Sequence, residues 1–403
     1  MQTQSAKMML LLLLLLGTIH RSHAETVGAS DYFAGPVEDR SALAAVVEQL
    51  CGKETALLGE ALHGDGHTIR FKVALVQQLV TKCHYNAVFF EGSYYEFEAI
   101  ARTRREGKTV TPDMVGAAVG GMWKFHREFQ PLLPFLANEV TSGRLALGGI
   151  DFQTGGFEQP YTNDVLPAEL SNYLNADRRG QCRDAVTRRI YNGFDGSRQV
   201  ELLRYVTDIS HAILSSRDID PRLREEQNGI LANIKAYFET NMSDTGGLYR
   251  ARDRAMFDNF RALKRRLPPH SKVIVWTATA HLAKDATADP AFATVKNLGS
   301  YLHQVYGSRI FTLGFTAQSG SFKWSGQENR ALPVAPESSL EAQAFNGSDS
   351  ETLFLGSTRL QQFGVTQTAV FEHVYRATNL AKALDGIVVF RTEYPPHSIR
   401  PGF

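Results

Sequence analysis

Two glutamates and two histidines stand where apolar runs end. Glu60 and His63 follow Ala56-Leu57-Leu58, Glu91 follows Val88-Phe89-Phe90, and His281 comes soon after Val273-Ile274-Val275-Trp276. Asp151, after Gly149-Ile150, completes the set. Turns favour Asp, Gly and Asn, so one polar residue after a strand is unremarkable; two glutamates in that role ask for another reason. Glu60 precedes His63 by three residues on one short loop. A carboxylate there, or Glu91 on what is expected to be the neighbouring strand, can orient one ring nitrogen while the other takes a proton from water. His281 can protonate a leaving alkoxide or stabilise an oxyanion. No Gly-x-Ser-x-Gly elbow precedes a helix, which removes the commonest serine-esterase route and leaves water as the nucleophile.

The same four side chains, Glu60, His63, Glu91 and His281, also suit zinc, manganese or iron, which would lower the pKa of a bound water. A site with no cofactor and a divalent-metal site therefore both stay open. A third reading is an exported binding protein that keeps the pocket without turnover.

These residues lie more than two hundred positions apart, so the elements must bring them together. The apolar runs at 55–59, 86–90, 272–276, 309–314 and 386–390 show no alternation, the pattern of parallel strands buried on both faces. A further strand ends at Asp151, a short one covers 352–355, and the run at 386–390 is expected to close the sheet. Helical periodicity marks 39–50, 67–82, 93–105 and 122–141 between them. From 156 to 265 the strand signal disappears, and 180–193, 198–216, 220–241 and 249–266 all read as helices. Residues 318–350, rich in Ser, Gly, Asn and Pro, read as a long surface connection. The expected fold is α/β: a mostly parallel central sheet flanked by helices, with a helical insertion lobe over the carboxyl edge of the strands. The divisions are a leader at 1–24, core at 25–155, lobe at 156–265 and core again at 266–403. Ligands of open parallel sheets bind beyond the carboxyl ends of the strands, where all the candidate residues would project. Arg252, opening the helix that leads back to the sheet, is placed to meet Glu91 or a substrate carboxylate. Trp123 reads as a pocket wall or core residue, and His67 and Arg70 as pocket-facing candidates.

The chain has 403 residues, 43 % apolar and 21 % charged, with a formal net charge of +1. That composition excludes a disordered chain and argues against a nucleic-acid surface. Lys7, the leucine-rich run from Met8 to Leu16, and Ser22-His23-Ala24 form the three regions of a secretory signal peptide. The expected mature protein starts near Glu25, is exported to the periplasm or the medium, and has no membrane partner. In such a compartment Cys51 and Cys83, each five residues before an apolar run, can form a disulfide if those runs are adjacent strands; three reduced thiols is the alternative.

Six segments in order carry a resemblance to the erythromycin esterase family. They are Gly59-Glu60-Ala61-Leu62-His63-Gly64, Val88-Phe89-Phe90-Glu91-Gly92, Gly149-Ile150-Asp151-Phe152-Gln153, Arg252-Asp253-Arg254-Ala255-Met256 with Asn259, Val275-Trp276 through Ala280-His281, and Gly314-Phe315. The resemblance spans about residues 40–392. It implies a hydrolase of small-molecule esters or lactones in which His63 activates water, surrounded by Glu60, Glu91 and His281. It also implies a basic residue nine positions after the base, here Lys72 where the family commonly has Arg; Lys72, Arg252, Asp151 and Trp123 are together the expected substrate-binding residues. Ala278 stands where the family's strand motif has its first histidine, so one imidazole is missing.

Overall fold

The computed structural model describes residues 37–400 apart from 155, 157, 193–197, 241–244 and 325–326. The expected leader at 1–24 lies outside the described residues. Ten strands follow in order: β1 (Thr55–Leu58), β2 (Ala87–Ser93), β3 (Ala146–Asp151), β4 (Val273–Trp276), β5 (Ile310–Phe322), β6 (Arg330–Ala331), β7 (Thr352–Gly356), β8 (Val365–Thr368), β9 (Arg376–Asn379) and β10 (Gly386–Glu393). The main sheet has the order β3-β2-β4-β1-β5-β10-β7, with β6 paired to β5, and β8 and β9 form a separate two-stranded sheet. The first six strands of that order are mutually parallel; β7 lies antiparallel at the edge.

Both faces of the sheet are covered, which is why its strands read as unbroken apolar runs. Because side chains alternate across a strand, Leu58, Phe90 and Trp276 enter one core with the helices Arg40–Cys51 and Gly66–Cys83. Leu57, Phe89 and Val275 enter another with the helices Thr245–Arg265 and Leu298–Tyr306. Between 161 and 265 every described element is a helix, from Tyr161–Val165 to Thr245–Arg265. Much of this stretch has its own apolar cluster, built on Leu202, Ile209, Ile230, Ile234 and Phe238. Tyr94 and Tyr95, following β2, and Phe152, following β3, belong to that cluster. The helices are thus seated on the carboxyl ends of two strands.

Three expectations need correction. The runs after Cys51 and Cys83 are not adjacent strands, because β4 lies between β1 and β2. The disulfide Cys51–Cys83 is nevertheless present, with Cα atoms 4.9 Å apart, since the two cysteines close the ends of two helices packed together on one face. Cys182 is free and buried. Residues 318–350 are not a plain connection: β5 runs on to Phe322, β6 pairs back on it, and a short helix occupies Leu340–Ala344. Finally, β10 is interior rather than closing the sheet, its free side taken by antiparallel β7.

Candidate active site

Register brings the candidates to one level. Leu58 pairs with Trp276, Trp276 with Phe90, and Phe90 with Gly149. The residues just beyond, Glu60, Thr277, Glu91 and Asp151, therefore leave the sheet side by side. Glu91 and Glu60 are not on neighbouring strands as expected, because β4 separates them.

Glu60 is wholly buried and accepts four hydrogen bonds. Oε1 takes the His63 Nδ1 proton at 2.5 Å and Trp123 Nε1 at 3.2 Å. Oε2 takes Lys72 Nζ at 2.7 Å and Trp276 Nε1 at 3.1 Å. Burial pushes the Glu60 pKa up, but Lys72 and His63 outweigh it and hold the carboxyl below its usual value. Lys72 is correspondingly sealed in, its ammonium 4.1 Å from the centre of the Trp276 ring. Burial brings its pKa down to about 8 against the opposing pull of Glu60. The expected substrate-binding role of Lys72 does not fit this placement, because its ammonium is fully buried on Glu60. Trp123 is likewise fully buried, edge-on to the His63 ring at 5.2 Å, and holds Glu60 rather than facing outward.

His63 keeps 12 % of its side chain exposed, and its second nitrogen, Nε2, lies 3.8 Å from Glu91 Oε1. Burial lowers the His63 pKa, yet Glu91 and Glu60 raise it further than Arg252 and burial reduce it, so the net shift is upward. The loop's glycines permit close approach. A Cβ on Gly64 would stand 1.9 Å from the Lys323 carbonyl oxygen, and one on Gly66 would strike Tyr394 at 2.8 Å.

Glu91 anchors a second group. Its Oε1 accepts Arg252 at 2.6 Å; its Oε2 accepts the Thr277 hydroxyl and the Ala278 N–H. Burial raises its pKa, but Arg252, His281 and His63 override this and hold it well below the carboxylate range. Arg252 also donates to Asp151 at 2.7 Å and lies 3.1 Å from His281 Nε2. It sits two turns inside the Thr245–Arg265 helix, not at its opening. His281 Nδ1 meets Asp253 Oδ1 at 2.9 Å, and Asp253 also accepts the Leu298 N–H. For His281 too, burial lowers the pKa while Asp253 and Glu91 raise it more.

The structure thus brings Glu60, His63, Glu91, Asp151, Arg252 and His281 to one place. His67 and Arg70 are elsewhere engaged: His67 bonds Asp39, and Arg70 pairs with Glu38 near the surface. As metal ligands the four candidate residues do not fit. The Glu60 oxygens are taken by four donors, and Glu91 is turned onto the Arg252 guanidinium. No group of three or more carboxylate, imidazole or thiol side chains is disposed to hold a metal among the described residues.

Several site residues carried no separate sequence signal. Trp276 and Thr277 lie in a segment that carries the family resemblance, but neither has an assigned role there. Asp253 was visible only as the neighbour of Arg252. Consecutive helical side chains diverge by about 100°, so the pair serves two partners, Arg252 reaching Glu91 and Asp253 reaching His281. Trp324, beyond β5, tilts over the outer side of His63 with ring centres 5.7 Å apart and is 38 % exposed.

The site is thus a carboxylate-backed imidazole with one open nitrogen at the carboxyl edge of a parallel sheet, with the Arg252 guanidinium acting on it electrostatically. The chain belongs to the erythromycin esterase family, whose sequence profile it matches over residues 80–393. That stretch includes Glu91, Asp151, Arg252 and His281 and begins after the loop bearing Glu60 and His63. A relative, the putative hydrolase YbfO of Bacillus subtilis strain 168, is 24 % identical over 330 residues, which cover 73 % of this chain and 72 % of that protein. By family the protein is a hydrolase. Among solved structures, a Bacillus cereus protein superposes with a TM-score of 0.68 at 17 % identity, covering 89 % of this chain and 93 % of that one. A histidine-to-asparagine mutant of the erythromycin esterase EreC, in its open conformation, gives 0.61 at 15 % identity, with 88 % and 94 % covered. A succinoglycan biosynthesis protein gives 0.69 at 14 %, with 91 % and 93 % covered. At these identities the structural likenesses speak to the fold.

Proposed function

We propose that this hydrolase cleaves a carboxylic ester or lactone with water activated by His63. The observation that carries the reading is the saturation of Glu60. With four donors on its two oxygens, Glu60 has no lone pair left for substrate and acts on His63 alone, fixing the Nδ1–H tautomer and leaving Nε2 as base. Water held by Nε2 gives up its proton as its oxygen attacks the acyl carbon, forming a tetrahedral oxyanion. When His281 is protonated its Nε2–H is a donor and no longer an acceptor, so this N–H and the Arg252 Nη1 hydrogens, which are not given to Asp151 or Glu91, can both meet that oxyanion. His281, or His63 returning its proton, then protonates the departing alkoxide.

The substrate is a small molecule, and no cofactor enters the reaction. We further propose that the protein is exported with its leader removed, a reading supported by the Cys51–Cys83 disulfide among the described residues. Amino-terminal sequencing of the secreted form should start near Glu25; a retained Met1 would refute it.

The test of activity is a panel of p-nitrophenyl esters and lactones, assayed with and without a chelator. Hydrolysis unaffected by chelator and abolished in His63→Ala is the expected result. Wild-type turnover in His63→Ala, or no hydrolysis of any ester or lactone by the intact protein, would overturn the assignment.

A further inference from the structure

Asp65 stands at the N-cap of the Gly66–Cys83 helix, where an aspartate side chain ordinarily accepts the first free helical N–H groups. It accepts none of them. That task is done from another strand: Glu393, at the end of β10, accepts the His67 N–H at 2.6 Å and the Thr68 N–H and hydroxyl at 3.3 and 2.8 Å. Asp65 instead points back along its own loop. Its Oδ2 accepts the Leu62 N–H at 3.0 Å, one residue before His63, and its Oδ1 lies 2.7 Å from His373 Nε2. Two buried carboxylates thus meet at one helix start, each with a different duty.

His373 reaches Asp65 by an unusual route. It lies in the connection between β8 and β9, and both it and Glu372 have left-handed backbones, at φ of 56° and 58°. Two consecutive non-glycine residues in that region persist only where surrounding contacts over-determine them. Here the contacts are the Asp65 bond, the Phe322 ring 4.6 Å from the imidazole, and an ion pair from Glu372 to Arg376. His373 is 5 % exposed.

We propose that Asp65 and His373 are positioning residues for the catalytic base: the imidazole holds Asp65 turned away from its helix, and Asp65 holds the loop so that His63 keeps its bond to Glu60. The kinetic part of this inference rests on His63 being the base; the geometric part does not. His373 donates to Asp65 in either charge state, since its neutral Nε2–H tautomer makes the same bond. The latch is therefore geometric and has no pH switch of its own.

The experiment uses the full mature chain with 15N-labelled histidine. His63→Ala assigns the His63 signals, and the His63 Nδ1–H resonance and its titration are then followed by NMR in the wild type, His373→Leu and His373→Gln. Glu60, Glu91, Arg252 and His126 are the charged or titratable groups that act on His63. In His373→Leu the protected Nδ1–H should be lost, and the His63 pKa should fall by about half a unit or more as Glu60 drifts out of contact. In His373→Gln, whose amide can still donate to Asp65, both should return toward wild type. On p-nitrophenyl esters, kcat should drop on the order of 10- to 100-fold in the Leu variant with KM little changed. An unchanged His63 resonance and pKa in His373→Leu, or a Gln variant no better than the Leu one, would overturn the proposal whether or not any ester is cleaved. Should His373→Leu fail to fold, Asp65→Ala serves, since it removes the acceptor for both Leu62 and His373, and a wild-type His63 signal there would refute the latch. Hydrolysis that survives His63→Ala would strike the base assignment alone.

Discussion

His63 titrates among Glu60, Glu91 and Arg252, and burial opposes its charge. The carboxylates win, so its pKa lies above the ordinary 6.5. Only the neutral ring can act as base, so kcat/KM should be lost as pH falls through that raised value. The linkage to stability has the opposite sense. The raised pKa stabilises the fold fully below about 6.5, and this contribution fades as pH rises through the folded value. Glu91→Gln removes the largest charge that raises the His63 pKa and should bring the acidic limb of the pH–rate profile down while lowering the maximal rate. A limb at or above its wild-type position in that variant would contradict the assignment. Lys72 makes a second test. Replacing it by Met leaves Glu60 buried with its charge unmatched, and breaking such a pair costs roughly 3–5 kcal/mol. Chemical denaturation of Lys72→Met reads this directly, and a loss below about 1 kcal/mol would mean that Glu60 is satisfied without the ammonium.

At the scale of elements, the Thr245–Arg265 helix does more for the site than any other single segment. It presents Arg252 to Glu91 and Asp151, and Asp253 to His281. Asn259, two turns further on, fixes the helix against both neighbours: its amide donates to the Ile150 carbonyl on β3 at 2.9 Å and exchanges bonds with Asn233 at 2.9 and 2.7 Å. Asn259→Leu should therefore reduce kcat more than an equally destabilising substitution in the core of the sheet, because it moves Arg252 with its helix. Equal losses in the two would place Asn259 among ordinary packing residues. The disulfide acts on a different pair of elements. It joins positions 32 residues apart, a loop whose closure is worth about 3–4 kcal/mol in the chain-entropy account. The double variant Cys51→Ser/Cys83→Ser should lower Tm and leave kcat unchanged, since neither cysteine touches the site residues.

Across the whole molecule, the reactive groups sit where two apolar clusters meet. One is the core of the sheet, with Phe90, Trp123 and Trp276 packed beneath Glu60. The other is the helical cluster that takes in Tyr94, Tyr95 and Phe152 from the strand ends. This seam keeps Glu60, Glu91 and Asp253 away from bulk water, so each carboxylate's charge acts strongly on its imidazole or cation. Within it the buried charges of the site are matched by partners carried on other parts of the chain, Lys72 on Glu60 and Arg252 on Glu91 and Asp151.

The sequence alone determined the strands buried in the main sheet, β1 to β4, the start of β5, and β10, with the short β7 at the sheet's edge, together with the candidate acids and bases and their common edge; β6, β8 and β9 went unmarked. Apolar runs without alternation mark strands buried on both faces, and polar residues at their ends are exceptional enough to be seen. It also presented the helical character of the stretch after Asp151, through the 3.6-residue period. Strand order was not legible, because β4 enters between β1 and β2 from more than 180 positions away, and no local pattern encodes which run will be a neighbour. Partner choice was hidden for the same reason. In the sequence Lys72 is marked only by the family resemblance, as the basic residue nine positions after His63 with a substrate-binding role; the arrival of Glu60 and Trp276 over it makes it a buried counter-ion. His373 and Asp65 lie 308 residues apart. Their meeting depends on a two-stranded hairpin folding back over the loop of His63, and that is decided by tertiary packing.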